Sequence, residues 1–447
     1  MGDVDLLHKV DVASNRLRGS FNKFYDHIRY STCKSLREIV LILTSRKAKH
    51  ATCNTADELR RLSLMTATVS AIPLGALSLE AMQGRTTTFP HAGNDMQSPC
   101  SVYADASKSL WGGTLKSLMA HPDIEGRFSK ASIDCPATAC TGFLTLAPNA
   151  SSKAWRNPEA IENIFCIRGK LTVQYGPALK QSVDLDLFDM VSIPADVKHV
   201  IRNAQGEEAH AVLVLSVPEG KSYRAVFESA GQTSTATAAA MHALQVSFDD
   251  APGKRPEAEE VSSRVTHFKN LVPYKKALSK TTGLPPEATE RLSAGSVFPL
   301  IVPVGHVGRS QTAPMYGNQG LYISIAECVA SDDGPPSHAH SDTQETFVVL
   351  DGTFDVMTGI HNEITLPAKS LDLVSIPKGV MRTFKNTTGK VARLLVIIQG
   401  PNKMHDNVSF AEEIGEEFAQ RFGPEIIEKY KTIKMTFDAR ERLSAEA

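Results

Sequence analysis

The segment Gly334-Pro-Pro-Ser-His338-Ala-His340-Ser-Asp-Thr-Gln-Glu345-Thr-Phe-Val-Val-Leu-Asp-Gly352 carries the most informative pattern in the chain. His338 and His340 are two residues apart, so both imidazoles project from the same face of a β-strand. Glu345 begins an apolar strand, and Gly352 supplies the turn that follows it. Two imidazoles and one carboxylate that converge on one face form the ligand set of a two-histidine, one-carboxylate metal site. The sequence therefore predicts that His338, His340 and Glu345 bind a metal.

The chain also contains an internal repeat. Glu162 and Glu345 are 183 residues apart, and this spacing holds without a gap from Trp155 to Val217 and the corresponding later segment. The turn and strand residues that share the spacing are Gly169 and Gly352, Val191–Pro194 and Val374–Pro377, and Asn203 and Asn386. Short alternating apolar runs between Gly, Pro and Asn are typical of β-sandwiches and barrels. One arrangement of strands and turns is therefore expected twice.

These two patterns resemble the cupin family. The segment 334–352 is similar to the first cupin motif, and Pro377-Lys-Gly379-Val-Met-Arg382-Thr-Phe-Lys-Asn386 is similar to the second, although the family normally has a histidine at the position of Arg382. The resemblance covers roughly residues 90–408. It implies an all-β bicupin, with two jelly-roll (cupin) barrels in tandem. It also implies a likeness to the gentisate and quercetin dioxygenase branches of that family.

The expected domain order follows from the repeat and from the composition between and around its copies. Residues 1–85 are predicted to be a flexible N-terminal extension, and 86–250 the first barrel, with a linker at about 228–262 that is rich in Ala, Ser, Thr and then charged residues. The second barrel is expected at 263–408. A helical C-terminal tail is expected at 409–447, where apolar residues recur every four positions before Gly423-Pro424.

Arg382 leaves two interpretations of the second barrel open. A guanidinium has no lone pair to donate, so Arg382 cannot replace a histidine ligand. In the first interpretation, three protein ligands hold a metal with open coordination positions, and Arg382 is catalytic because it stabilises negative charge on the substrate or on reduced oxygen. In the second, Arg382 and Glu345 form a buried ion pair and the histidines are only hydrogen-bonded in a barrel core.

Other residues near this motif have weaker patterns. Phe384 is a candidate for lining a pocket, although such residues are more often part of a core. His306 and Tyr316 lie upstream in Gly-rich sequence, where they either cover the pocket or belong to an ordinary loop. Both possibilities remain open for these two residues.

The first barrel is expected to lack a metal. The 183-residue spacing places Trp155 and Asn157 where the two histidines would be, whereas Glu162 and His199 keep their places. One carboxylate and one imidazole are too few to hold a metal. The sequence therefore predicts a hydrogen bond from His199 to Glu162 inside a filled barrel, with a metal-free pocket beside Trp155 as the alternative.

The composition is that of an ordinary globular protein, with 42% hydrophobic and 22% charged residues and a formal net charge of −1. This charge gives no field that would attract nucleic acid or a membrane surface, so neither is expected as a partner. Seven cysteines without a CxxC pair favour a reducing compartment, and a cytoplasmic location is predicted. Paired barrels often associate through sheet edges and helices, so a homo-oligomer is predicted.

The leading functional hypothesis is a metal-dependent, dioxygenase-like oxidoreductase that acts on a small aromatic or enolisable organic substrate. The expected cofactor is a divalent transition metal, with Fe(II) first and Mn, Ni or Zn as alternatives, because availability rather than affinity usually selects the ion. A non-catalytic ligand-binding or storage-type bicupin is the alternative from another class. A non-oxidative cupin isomerase, lyase or decarboxylase is the third possibility.

Overall fold

A computed structural model describes residues 74–89, 97–257, 259–273, 283–308, 313–317, 320–331, 334–400 and 406–446 of the 447-residue chain. All of these residues fall within one compact unit, Ile72–Ala447. Most of the predicted N-terminal extension, residues 1–73, lies outside the described residues. Cys33 and Cys53 lie there too.

The described strands fall into two groups. Those before residue 270 are β1 Thr86–Thr88, β2 Gly113–Ala120, β3 Ile133–Asp134, β4 Ala139–Leu146, β5 Trp155–Arg156, β6 Ile161–Arg168, β7 Leu171–Tyr175, β8 Gln181–Leu185, β9 Met190–Ile193, β10 His199–Arg202, β11 Ala209–Ser216, β12 Ala225–Phe227, β13 Val246–Phe248 and β14 Val265–Thr266. Those after residue 290 are β15 Ser296–Pro303, β16 Met315–Gly317, β17 Leu321–Cys328, β18 His338–His340, β19 Gln344–Asp351, β20 Thr353–Thr358, β21 Ile364–Lys369, β22 Asp372–Ile376, β23 Arg382–Asn386, β24 Ala392–Gln399, β25 Val408–Phe410 and β26 Met435–Thr436.

The described helices are short and lie at the edges of the β-structure. They are α1 Leu79–Gly84, α2 Pro99–Val102, α3 Ala104–Trp111, α4 Ala238–Leu244, α5 Pro286–Arg291, α6 Glu412–Phe422, α7 Glu425–Thr432 and α8 Ala439–Glu446. Within the part of the chain that the structure covers, no helix is both long and apolar enough to cross a bilayer.

The strands form two barrels, each built from two facing sheets. In the first barrel, a seven-stranded sheet has the order β14-β9-β6-β11-β4-β2-β3 and a six-stranded sheet the order β13-β12-β5-β10-β7-β8. In the second, the seven-stranded order is β1-β22-β19-β24-β17-β15-β16 and the six-stranded order is β21-β20-β23-β18-β25-β26. The all-β prediction of two tandem jelly-roll barrels with a helical C-terminal tail is confirmed.

The 183-residue spacing is also visible in the three-dimensional structure. Strands β6 and β19 keep this spacing at both ends, and so do β11 and β24. Gly169 and Gly352 have φ angles of 77° and 80° in the turns that follow β6 and β19. Such positive φ angles strain any residue with a Cβ, which explains why glycine stands in both turns.

The two barrels exchange short strands. Strand β1 pairs with β22 of the second barrel, although it precedes the first barrel in the chain. Strand β14 pairs with β9 of the first barrel, although it follows the predicted linker. Segments near both predicted boundaries, at 86 and 263, thus belong to the sheet of the opposite barrel. The predicted linker also contains ordered elements, because α4 and β13 lie within 228–262.

The facing seven-stranded sheets share an apolar core. Phe89, which follows β1, is fully buried, and its ring centroid lies 4.7 Å from that of Phe143 in the first barrel. The same cluster contains apolar side chains of both barrels, among them Val212, Ile325 and Leu395. The interiors of the two barrels form separate clusters, so the molecule has a core in each barrel and a third core between them.

The C-terminal tail packs on the second barrel. Helix α6 ends at Phe422 and α7 begins at Glu425, as the Gly423-Pro424 signal predicted. Phe418, Ile426 and Tyr430 are buried against Phe410 of β25. Strand β26 then pairs in parallel with β25, so the end of the chain extends the six-stranded sheet that contains β18.

Candidate metal centre

His338, His340 and Glu345 converge inside the second barrel. The two histidines lie on β18 of the six-stranded sheet, and Glu345 lies on β19 of the facing sheet. One ligand atom from each of the three residues lies within 4.8 Å of the other two. The Nε2 atoms of His338 and His340 are 3.7 and 3.6 Å from Glu345 Oε2, which is longer than a hydrogen bond. The three side chains therefore surround a space from different directions.

The backbone conformation at Gly334 allows the chain to lead into β18 beside β23. Gly334 begins the motif with a φ of 68°, and a Cβ there would lie 2.2 Å from the carbonyl oxygen of Phe384. Only glycine therefore allows the chain to pass this close to β23. His338 then pairs with Arg382 on β23 and with Phe410 on β25, which fixes the strand from both sides.

The second nitrogen of each imidazole has a fixed hydrogen-bond partner. His338 Nδ1 lies 2.9 Å from the carbonyl oxygen of Pro336. His340 Nδ1 contacts the carboxylate of Asp406 and lies 3.0 Å from Thr343 Oγ1. An Nδ1–H group that donates to these acceptors leaves Nε2 as an unprotonated nitrogen with its lone pair toward the interior. His340 Nε2 is buried and has no hydrogen-bond partner among the described residues.

Asp406 is a functional candidate that the sequence analysis missed. Its carboxylate accepts hydrogen bonds from the Asp342 backbone N–H at 3.1 Å and from Thr343 Oγ1 at 2.8 Å, in addition to its contact with His340. Burial would raise the pKa of Asp406, but His340 and these donors outweigh burial and hold it well below its usual range. No sequence spacing links Asp406 to the histidines, since it lies 66 residues beyond His340.

Arg382 contacts the ligand carboxylate. Its Nε donates to Glu345 Oε2 at 2.9 Å, and its Nη1 donates to the carbonyl oxygen of Val380 at 2.9 Å. The side chain is fully buried, and Nη2 has no hydrogen-bond partner within the described part of the chain. Burial lowers the pKa of Arg382 and Glu345 opposes that effect, but a guanidinium stays protonated at neutral pH. The ion pair of the second interpretation is therefore present in the structure.

The charged state of the centre follows from these neighbours. Burial alone would raise the pKa of Glu345, but His338, His340 and Arg382 hold it well below its ordinary range. Burial lowers the pKa of His338 to about 4, and the positive charge of Arg382 acts in the same direction. At neutral pH the centre thus contains an ionised Glu345 and a neutral His338, which is the state in which both groups can bind a metal.

A cavity of about 110 Å³ adjoins the centre. His338, His340 and Glu345 lie in its wall, as do Asp406, Phe384 and His306. Arg382 is not part of the wall. The remaining lining residues come from strands, from the loops that precede and follow them, and from the C-terminal tail: Ser293, Ala294, Val297, Val307, Gly308, Tyr322, Ser324, Ala326, Pro335, Val396, Ile398, Val408, Ile433, Lys434 and Met435.

Of the three residues with weaker sequence patterns, Phe384 and His306 line the cavity and Tyr316 does not. Phe384 lines the cavity and also packs against Phe347 and Phe354 of the core, with ring centroids 5.2 and 6.1 Å apart. The His306 ring lies in the cavity wall, 6.0 Å from the ring of Tyr322, and burial lowers its pKa. Tyr316 is 48% exposed and does not line the cavity.

The corresponding place in the first barrel is filled by side chains. His199 Nε2 lies 3.1 Å from Glu162 Oε2, as predicted, and Trp155 Nε1 and the Asn157 amide donate to the same oxygen. Trp155 is fully buried with its ring centroid 4.1 Å from that of His199. The buried Arg127 donates to Asn157 Oδ1 at 2.8 Å. Among the described residues, no group of metal-binding side chains is found here.

The family model of the cupin domain matches the chain twice, at residues 142–215 and 327–398. These matches coincide with the two barrels. The chain is a bicupin of the cupin superfamily. No curated protein matches the sequence of this bicupin significantly.

Several solved structures resemble the bicupin. Oxalate decarboxylase from Lactobacillus farciminis, in a formate complex, is 16% identical over 77% of this chain and 95% of that chain, with a TM-score of 0.43. A variant of oxalate decarboxylase from Bacillus subtilis is 14% identical over 84% and 92%, with a TM-score of 0.44. Salicylate 1,2-dioxygenase from Pseudaminobacter salicylatoxidans is 13% identical over 78% and 95%, with a TM-score of 0.43. Likenesses this distant say nothing about the reaction of this bicupin.

Proposed function

We propose that the chain is a metal-dependent enzyme whose second barrel binds one divalent transition metal through His338, His340 and Glu345. One observation carries this proposal: His340 Nε2 is buried without a hydrogen-bond partner among the described residues, while its Nδ1 is fixed by Asp406. A buried polar atom without a partner costs about 1–3 kcal/mol, and coordination of a cation removes that cost. Fe(II) is the first candidate for the ion, and Mn, Ni and Zn fit the same donor set.

We infer that the reaction is dioxygenase-like and acts on a small aromatic or enolisable substrate. A divalent ion held by three protein ligands supplies a Lewis acid with open positions for a chelating substrate and for oxygen. The cavity of about 110 Å³ restricts the substrate to a small molecule. Phe384, Val297 and Ile398 give the wall an apolar side that suits the carbon skeleton of such a substrate and excludes water.

Arg382 is proposed to contribute positive charge to this site. Its guanidinium lies beside Glu345 and compensates the carboxylate, so that the centre keeps more positive charge with which to attract an anionic substrate. A direct contact between Arg382 and the substrate remains a prediction, because the cavity wall does not include this side chain.

His306 is a candidate for proton transfer. It lies in the cavity wall, and burial lowers its pKa, so the imidazole is neutral at neutral pH. A neutral imidazole outside the metal-ligand set can accept a proton from an enolisable substrate. We expect a His306→Gln variant to lose activity while it keeps the metal content of the wild type.

Oxygen uptake tests the proposed reaction. The protein is loaded anaerobically with Fe(II), freed of excess metal, and mixed with catechols, gentisates and flavonols in an oxygen electrode. Uptake with one of these substrates is expected for the wild type and should disappear in His338→Ala. His242→Ala replaces an exposed histidine of the first barrel and serves as the matched control with wild-type uptake.

Two other outcomes of this experiment would favour the alternative functions. A metal-loaded protein that consumes no oxygen contradicts the dioxygenase and favours a non-oxidative isomerase, lyase or decarboxylase. A protein that neither contains nor takes up metal contradicts the enzyme altogether and favours a ligand-binding or storage-type bicupin.

A further inference from the structure

The two barrels hold their central glutamates by equivalent hydrogen bonds. In the first barrel, His199 Nε2 lies 3.1 Å from Glu162 Oε2, and His199 Nδ1 lies 3.1 Å from the carbonyl oxygen of Val197. In the second barrel, Arg382 Nε lies 2.9 Å from Glu345 Oε2, and Arg382 Nη1 lies 2.9 Å from the carbonyl oxygen of Val380.

The atoms involved occupy matching places in the repeat. Val380 stands 183 residues after Val197, as Arg382 does after His199, and both central side chains are fully buried at the start of their strands, β10 and β23. The preceding valine carbonyl and the glutamate oxygen are thus the same two acceptors in each barrel. An imidazole donates to both only when both ring nitrogens carry a proton, and a guanidinium donates to both with two N–H groups of its planar fork.

We propose that Arg382 is a positioning residue that replaces the imidazole of a fourth metal ligand. It keeps the two hydrogen bonds by which a histidine would hold Glu345, but it leaves the site one protein ligand short. The statement about the missing ligand rests on the proposed metal site. The statement about the two hydrogen bonds of Arg382 does not, because these bonds are independent of any metal.

The replacement changes both the ligand count and the charge of the centre. A histidine at this position can give up its Nε2 proton and present that lone pair to a metal in place of the hydrogen bond to Glu345. The guanidinium has no lone pair, so only His338, His340 and Glu345 remain as ligands. Arg382 also adds a full positive charge beside Glu345, which disfavours a second cation nearby. Both the missing ligand and the added charge weaken metal binding. The missing ligand also leaves an additional coordination position to the substrate.

Three variants of the full-length protein test the inference: Arg382→His, Arg382→Lys and Arg382→Ala. In the metal-free protein, Arg382→His supplies an imidazole that reaches both acceptors when both of its ring nitrogens are protonated. When a metal binds, the ring loses its Nε2 proton and becomes a ligand. Arg382→Lys keeps the charge but has no planar fork with which to reach Val380 and Glu345 together. Arg382→Ala removes both hydrogen bonds and leaves Glu345 buried without its partner.

The first measurement is the melting temperature of the metal-free proteins. We expect Arg382→His to stay within about 2 °C of the wild type, and Arg382→Lys and Arg382→Ala to lose on the order of 5–10 °C. If Arg382→His loses as much as Arg382→Ala, or if Arg382→Lys matches the wild type, the two hydrogen bonds do not define the role of Arg382 and the proposal is overturned.

The second measurement is the affinity for Mn(II), obtained by competition with a fluorescent chelator. Arg382→His gains a fourth ligand and loses the positive charge, so its affinity should rise by about tenfold or more. An unchanged or weaker affinity, beside a wild type that binds Mn(II), overturns the proposal. If the wild type binds no metal, the proposed function fails, and the melting temperatures alone decide whether Arg382 replaces a histidine.

Discussion

At the scale of single residues, the candidate metal centre depends on groups outside the proposed ligand set. Asp406 and the carbonyl oxygen of Pro336 fix the Nδ1 atoms of His340 and His338, and this decides which nitrogen faces the interior. The sequence singled out the three candidate ligands because HxH and a following glutamate have a recognisable spacing. It did not predict Asp406, because the contact depends on how the chain returns to β18 after β24.

Asp406→Asn should weaken metal binding without unfolding the protein. The amide carries no negative charge to orient and polarise His340, and loss of such a partner lowers metal affinity roughly 10- to 100-fold. Chelator competition on the wild type and the variant measures the change. Asp123→Asn, at a side chain that is 91% exposed, is the matched control. Equal affinities of Asp406→Asn and the wild type would show that Asp406 does not orient His340.

Buried His210 should make the stability of the protein depend on pH, independently of the candidate metal centre. It is buried in β11, neither ring nitrogen has a hydrogen-bond partner among the described residues, and burial lowers its pKa, with Arg168 acting in the same direction and Glu208 against it. The unfolded chain therefore takes up the proton at higher pH than the folded protein does. Its contribution to stability is complete above the unfolded pKa of about 6.5 and decreases as the pH falls toward the lowered folded value.

We expect His210→Phe to lose less stability than the wild type between pH 7 and pH 5. The ring of His210 already lies edge-on to Phe143 at 5.2 Å, so an aromatic replacement suits the site. Urea denaturation of both metal-free proteins at the two pH values gives the change in the free energy of unfolding for each. The other histidines contribute equally to both changes, so the difference between the proteins reports His210. Identical losses in the two proteins would mean that His210 does not titrate in this range.

At the scale of elements, the sequence predicted the repeated strands but not the exchanged ones. Strands such as β6 and β19 have apolar runs that end in a turn glycine, and these features can be recognised in any chain. Strand β1 has three residues and β14 has two, which is too short for any periodicity, so their pairing is set by contacts between distant parts of the chain. The contribution of Met435 and its neighbours to the cavity wall was missed for the same reason.

The C-terminal tail should contribute strongly to stability through Phe418. This side chain is fully buried, and its ring centroid lies 5.7 Å from that of Tyr430 and 5.5 Å from that of Phe437. Phe418→Ala should lower the free energy of unfolding by about 3–5 kcal/mol, because it removes buried surface and leaves a cavity. Gln420→Ala, at an exposed position of the same helix, should change it by less than about 0.5 kcal/mol. Equal effects in urea denaturation would contradict the observed packing of α6.

At the scale of the whole molecule, the two barrels have diverged around one plan. The centre of the first is filled by Trp155, Asn157 and Arg127, and the second brings His338, His340 and Glu345 together beside a cavity. The predicted homo-oligomer and the cytoplasmic location concern the molecule at this scale and stay predictions.

The exchanged strands and the shared core predict cooperative unfolding. Each barrel contains a strand from the segment adjoining the other, and the cluster around Phe89 belongs to both. Neither barrel is therefore expected to persist after the other unfolds. Differential scanning calorimetry of the metal-free protein should show one transition. Two well-separated transitions, each with about half of the enthalpy, would contradict this coupling.

The metal content of the purified chain tests the central claim most directly. After expression with Fe, Mn, Ni and Zn supplied together and removal of loosely bound ions, elemental mass spectrometry gives the number of metal ions per chain. We predict about one divalent transition metal ion per chain in the wild type and in His242→Ala, and almost none in His340→Ala. A wild-type protein that contains no metal and cannot be reconstituted, or a His340→Ala variant that keeps its full metal content, would contradict the proposed centre.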